Sequence, residues 1–384
     1  MSASSPRLRA TLFHGRAADA CETNDWSARN GVTLARVYTD ANDEALAARF
    51  RAGLIDISWR WRVLIDGARA AEFLSRLTTR DVARLEPGQA VKALWLGDGG
   101  GVRGAGVIAR FGQESFRLVS AAPDLDWIAA AAARFGVSVR ELGQSVGGLA
   151  LVGPYAAATL ARAGIDPALE ALGFRRQFWR GLDITLSRWG EQGGYEVWCM
   201  ADDGIVLWDR LMKAGAAFGL QPMGLAAADI LDVEAGIARP GRDYLLAVDG
   251  SAAGPTPRAL GLESLIDDAH AGFNGRDGYL AAHTGERLRF AAVEIDSQTP
   301  ASHTPLMQGA IVVGRTLTSV WSPALRWAIA LAQVEVGACA PGTVLSLALP
   351  PSLEIPEART AAARVVDLPF LSLPEQQGAA ETER

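Results

Sequence analysis

The sequence is poor in the residues that build metal and disulfide sites. It holds three cysteines, Cys21, Cys199 and Cys339, and four histidines, His14, His270, His283 and His303. Three widely separated thiols exclude a disulfide framework, and histidines without i, i+4 or short-gap spacing supply no clustered metal site. Isolated reduced thiols fit a reducing compartment. No run reaches the roughly 18 to 20 apolar residues that a membrane-spanning helix requires. The opening MSASSPRLRATLFHG carries arginines without an apolar centre and does not read as an export signal. A soluble, cytoplasmic protein is expected. The formal net charge of -6, with 37 Lys and Arg scattered along the chain, gives no electrostatic footprint for nucleic acid or for an anionic membrane.

What is present suits a well-buried globular protein: 49% hydrophobic and 21% charged residues over 384 positions, long enough for two or three domains. Residues 1–28 read as a polar lead-in. Helical patterns follow at 43–52 and 68–78, the second placing Ala71, Phe73, Leu74 and Leu77 on one face. Between them LIDISWRWRVLIDG, 54–67, alternates Ile55, Ile57, Trp59 and Trp61 with polar residues, a period-two pattern that predicts one strand. Further helices are predicted at 124–134, 154–162, 204–214 and 224–235, with strands at 148–154 and two more between 174 and 197. From about residue 287 short strands separated by turns dominate: RFAAVEID, GAIVVGRTLTSVW, RWAIALAQVEV and GTVLSLAL. The expected organisation is an α+β body over 29–286, an antiparallel β-barrel over 287–372 and a solvated tail over 373–384.

Three stretches carry candidate chemistry. GDGGGVRGAG, 97–106, is glycine-rich, yet it lacks a GK[ST] ending and leads into a strand, so it predicts a hairpin turn near a ligand in preference to a phosphate loop. Gly193–Gly194 introduces a strand in which Glu196 stands between Tyr195 and Val197. In that apolar setting a carboxylate offers two acceptor oxygens to a paired N–H edge such as that of a 2-amino-pyrimidinone ring, the alternative being a solvated strand glutamate. Glu234, Arg239 and Arg242 cluster around the turn GIARPGRDY, where the arginines are placed either to grip a carboxylate or to pair with nearby acids. Among 11 tryptophans, Trp59, Trp61, Trp95, Trp189 and Trp198 adjoin the candidate strands and could wall a flat ligand.

Ordered pieces of the chain resemble the glycine cleavage T-protein (aminomethyltransferase) family. They are GLIDISW at 53–59, LTTRDVARLEPGQA at 77–90, LVGPYA at 151–156, GEQGGYEVW at 190–198, PMGLAAADILDVEAGI at 222–237, GFNGRDGYLA at 272–281 and SVWSPALRWAIALAQV at 319–334. The resemblance spans roughly residues 30 to 372. It implies a folate-binding body of two related α+β subdomains around a central funnel, closed by a C-terminal barrel, with tetrahydrofolate as cofactor. It also implies that Glu196 holds the pterin's N–H edge, that Tyr195 and Arg239 lie near it, and that Trp321 approaches from the barrel.

The departures bear on the reaction. Where the family reads GG-x-x-DD, GGVRGA at 100–105 places Gly104 and Ala105, with Arg103 just before them. AAADILDVEAG has Ala227 and Asp232 where the family has arginines. The reading that follows is a tetrahydrofolate-dependent methyltransferase that demethylates or dehalogenates a small methyl donor. Arg103 then orients the donor or its leaving group, and Trp59 and Trp95 wall the substrate pocket. The alternatives are an aminomethyltransferase served by a carrier protein, with Asp98 replacing the lost acid, and a non-catalytic folate-binding paralogue.

Overall fold

A computed structural model describes residues 8–189, 194–248, 254–282, 285–350 and 359–372. The 373–384 tail, His283 and residues 190–193 of the GEQGGYEVW motif lie outside the described residues. The body contains a three-stranded sheet, in the order Arg9–Ala10, Val32–Val37 and Asp25–Arg29, two of whose strands begin in the stretch expected as a polar lead-in, and two larger, mostly antiparallel sheets. The first of the larger two has six strands in the order Phe174–Trp179, Leu182–Ser187, Tyr195–Met200, Val146–Val152, Ala52–Asp56 and Leu220–Pro222. The second has five, in the order Ala90–Leu96, Val102–Arg110, Ser115–Ser120, Trp61–Asp66 and Ser138–Glu141. The barrel is closed by six antiparallel strands between Leu288 and Val366. This is the α+β body with a C-terminal barrel that the sequence predicts.

The single strand predicted over 54–67 is two. Ala52–Asp56 belongs to the six-stranded sheet and Trp61–Asp66 to the five-stranded one. At the junction Ile57 N–H donates to the Gly148 carbonyl, the Asp56 carboxylate accepts from Ser58 N–H, and Arg60 N–H donates to the Ile57 carbonyl. Buried Arg62 donates through one nitrogen to the carbonyls of Ser58 and Arg60, filling acceptors that the turn leaves unpaired. Burial, with the nearby Arg117 charge, pulls Arg62 down to about 10. Ile55, Ile57, Trp59 and Trp61 are all buried, so the alternation persists while the chain changes sheet.

The helices follow the apolar spacing. Ala41–Phe50 begins at Asp40, whose side chain accepts from the Asn42 and Asp43 N–H groups, an N-cap for two donors the helix cannot satisfy. Ala70–Leu77 buries Ala70, Phe73, Leu74 and Leu77 against the five-stranded sheet. Helix Leu225–Glu234 is buried on most sides and carries Glu234 to the barrel. There the Glu234 carboxylate accepts from Arg49 Nε at 2.8 Å and from Ser322 Oγ at 2.5 Å, tying a body helix and a barrel strand to one buried charge. The pairing that was expected from a nearby arginine comes from Arg49, 185 positions away.

Candidate functional site

Glu196 sits in the middle of the six-stranded sheet, paired across to Ala150 on one side and Ser187 on the other. Its side chain is fully buried. One carboxylate oxygen accepts from Arg60 Nη1 at 2.6 Å; the other accepts from the indole N–H groups of Trp189 at 2.6 Å and Trp198 at 3.0 Å. A carboxylate offers about four acceptor positions, so Oε1 keeps capacity for another donor while Oε2 is filled by the two indoles. Glu196 lines a small recess together with Ile55, Ile57, Trp59, Arg60 and Arg239.

Next to this recess lies a cavity of about 790 Å³, and Arg60 and Arg239 line both. Its floor is the five-stranded sheet, its opposite wall the Ala235–Pro240 turn, and its far side the barrel residues Phe290–Ala292 and Val365–Pro369. The cavity therefore lies at the junction of body and barrel, bounded by both, and has the volume of a small-molecule site.

Arg239 is held in place. Its Nε and Nη2 bond both oxygens of buried Asp232, at 2.7 and 2.8 Å, and its backbone N–H donates to Asp243. Arg242 bonds Asp243 and Asp229, and Asp229 also accepts from Arg29. The two turn arginines are thus engaged with protein acids, and Asp232, one of the departures noted in the sequence, is the partner of Arg239. Trp59 has the Arg29 and Arg239 guanidinium groups 5.2 and 5.9 Å from its ring centroid and forms part of the recess wall.

Arg103 is placed differently from the donor-facing role expected of it. It occupies a bulge in strand Val102–Arg110, where Gly104 pairs with Trp95 and Val102 with Leu96, leaving Arg103 the extra residue. Its guanidinium makes a two-pronged pair with Asp124 at 2.7 and 2.9 Å and stacks 4.5 Å from the Trp127 ring centroid. It does not line the 790 Å³ cavity. Trp95, expected in the substrate wall, donates its indole N–H to the same Asp124 at 3.1 Å and is buried in the core beneath helix Leu125–Ala133. A Cβ at Gly104 would lie 2.2 Å from the Trp95 ring, which explains glycine at that position.

Ala105 does line the cavity. Asp98 stands exposed at the hairpin tip, accepting from Asn274 Nδ2 at 3.3 Å, and does not line the cavity. The glycine cluster is the predicted hairpin, but its tip is packed on protein: a Cβ at Gly100, φ +82, would lie 2.2 Å from Tyr279 N. Tyr195 is buried in the core of the six-stranded sheet with Arg188 over its ring, and it borders the Glu196 recess. Trp321 is half-buried on barrel strand Ile311–Ser322, paired with Ala328, and does not line the cavity.

Two cavity residues were absent from the sequence reading. Arg60 lies in the sheet-to-sheet junction, read there as the polar side of a continuous strand. Lys92 lies on strand Ala90–Leu96, and no sequence motif marks it.

The three-sheet body, the docked barrel and the buried carboxylate in a recess beside their shared cavity are features that known proteins share in part. Residues 16–254, more than half of the chain, match the family described as GCVT N-terminal domain, and the chain belongs to that family. Among similar proteins, the aminomethyltransferase of Frankia alni is 32% identical over 309 residues, covering 78% of this chain and 83% of its own. The aminomethyltransferase of Bacillus pumilus is 28% identical over 354 residues, 88% of this chain and 93% of its own. The crystal structure of the glycine cleavage system aminomethyltransferase T from Bartonella henselae superposes with a TM-score of 0.85 at 24% identity, covering 96% of this chain and all of that one, and shows the same fold.

Proposed function

We propose that the protein is a tetrahydrofolate-dependent one-carbon transferase of the aminomethyl-transferring kind. Tetrahydrofolate is the cofactor that goes with this family. The observation that carries the reading onto this chain is Glu196: a fully buried carboxylate lining a small recess that shares Arg60 and Arg239 with the roomy body–barrel cavity, with acceptor capacity left on Oε1. A pterin ring presents N–H donors along one edge, and a buried acceptor of fixed orientation suits them. Bound there, the cofactor supplies the N5 atom that takes up the one-carbon unit. The chain's own residues orient the ring: Glu196 receives its N–H edge, Arg60 and Arg239 border that contact, Tyr195 backs the recess, and Trp321 stands on the barrel side. Relatives of this length named aminomethyltransferase favour an aminomethyl donor, and a carrier protein is the partner such a donor implies.

One observation favours a second reading, transfer from a small methyl donor. Ala105 lines the cavity where the family resemblance places an aspartate, and the carboxylates nearest to hand do not replace it: Asp98 is outside the cavity and Asp367, at its mouth, is exposed. A direct methyl displacement needs alignment and exclusion of water more than a proton shuttle. In that reading Trp59 walls the recess beside the cavity, and Arg103, held on Asp124 outside the cavity, does not touch the donor.

One experiment decides between them. The purified protein is incubated with tetrahydrofolate and either an aminomethylated carrier protein or a panel of methyl thioethers, methoxy-aromatics, methylamines and methyl halides, and the folate products are separated. Methylene-tetrahydrofolate from the carrier is the expected result. 5-Methyl-tetrahydrofolate from a small donor would replace the first reading with the second, and absence of folate binding would overturn both.

A further inference from the structure

The chain has only two lysines, Lys92 and Lys213, among 37 lysines and arginines, and Lys92 lines the 790 Å³ cavity. The other cations bordering that cavity from the body have acids: Arg60 has Glu196 and Arg239 has Asp232. Lys92 is half-buried and, among the described residues, has no ion-pair or hydrogen-bond partner. An ammonium withdrawn part-way from water without a counter-charge raises the free energy of the empty site and favours an anionic ligand.

Its place in the sheet fixes how far that anion lies from the ring-binding end. Lys92 pairs with Val107, Val107 with Val119, and Val119 with Arg62, a single row across four strands. Lys92, Val107 and Val119 all face the cavity, and Arg60, two residues before Arg62, reaches Glu196. Three interstrand steps of about 4.8 Å put the Lys92 backbone about 14 Å from the other end of the row. The floor between them is alanine, glycine and valine with one serine, Ser120, whose hydroxyl donates to the Ala122 carbonyl, a largely apolar track suited to an aromatic spacer.

We propose that Lys92 binds a carboxylate at the far end of the folate from its pterin, the glutamyl tail, so that Glu196 and Lys92 fix the two ends of one ligand across the cavity floor. The proposal rests on the folate reading, which places the ring at Glu196.

The test compares tetrahydrofolate with 6-methyltetrahydropterin, which has the same ring and no tail. Binding is followed by tryptophan fluorescence with no one-carbon donor present, so a donor carboxylate cannot stand in for the tail. Lys92→Met is expected to weaken tetrahydrofolate roughly fivefold to thirtyfold, the loss expected for one charged contact. It should leave the tail-less pterin within about twofold of wild type. Lys92→Arg, which keeps the charge, should recover most of the affinity. Added salt should weaken tetrahydrofolate binding to the wild type more than to Lys92→Met. Equal losses for both ligands, or no loss for either, would overturn the assignment while leaving the folate reading standing. A wild-type protein that binds neither ligand would remove both.

Discussion

Glu196 and Arg103 are both buried charges on inner strands of the body, one in each of its two larger sheets, and the fold faces them differently. Glu196 sits in regular register, and its carboxylate lines a recess beside the body–barrel cavity. Arg103 sits in a bulge that turns it onto Asp124 and Trp127, away from that cavity. A charge in a strand thus acquires its role from the face on which it emerges. One extra residue in the ladder is enough to move it from the cavity side to the helix side.

The largest effect that would break this comparison is expected at Glu196. Glu196→Ala removes the acceptor for Arg60 and for two buried indole N–H groups at once. The fold should lose about 3–5 kcal/mol, the cost of leaving a buried partner uncompensated. Folate affinity should fall by the roughly 1–3 kcal/mol that a missing buried acceptor costs. Glu196→Gln keeps the shape and separates the two effects. Urea denaturation and folate titration measure them, and unchanged affinity in both variants would remove Glu196 from the ligand site.

A smaller and opposite outcome is expected at Arg103. Arg103→Met keeps the apolar stem against Trp127 but strands the Asp124 carboxylate, which retains the Trp95 N–H and some solvent contact. A stability loss of about 2–3 kcal/mol is expected, below the full cost of a wholly buried pair. Folate affinity should stay within about twofold, because the side chain stands outside the cavity. A large drop in affinity with little loss of stability would return Arg103 to the ligand side and dissolve the contrast.

Much of the fold was legible because periodicity survives folding. Helices at Ala70–Leu77, Leu125–Ala133, Gly204–Gly215 and Leu225–Glu234 follow their apolar spacing, and four of the six barrel strands announce themselves by β-branched runs between turns. Pro305–Gln308 is too short to show a pattern, and Arg359–Val366 is read poorly because alanines fill it. The break at 57–60 was hidden because Ile57, Trp59 and Trp61 keep period two through a turn that moves the chain between sheets. That same hidden turn delivers Arg60 to Glu196, so the missed boundary and the missed site residue have one cause. The burial of Glu196 was legible from its apolar neighbours. The facing of Lys92 and Arg103 depends on register and on a bulge, which local sequence does not encode.

The finest test compares two carboxylates of the same sheet. Glu196 is buried against a cation, whereas Asp56 is buried with neutral hydrogen-bond donors, Thr11 Oγ1 at 2.6 Å and Ser58 N–H at 2.9 Å. Burial is the main cause that raises Asp56 above its usual value near 3.8, with those hydrogen bonds and the Arg62 charge opposing it. The sign follows from proton linkage. Because the folded state holds the Asp56 proton more tightly than the unfolded chain, Asp56's contribution to stability is fully present below pH 3.8 and is lost as pH rises through the raised folded value. Asp56→Asn has no such proton to lose. Its stability relative to wild type should therefore increase as pH rises from about 4 toward neutrality, the Thr11 hydroxyl reversing to accept from the new amide. Thermal melts across that range measure the difference. A difference that stays constant with pH, or that narrows, would show that the Thr11, Ser58 and Arg62 contributions outweigh burial, leaving Asp56 as well supported as Glu196.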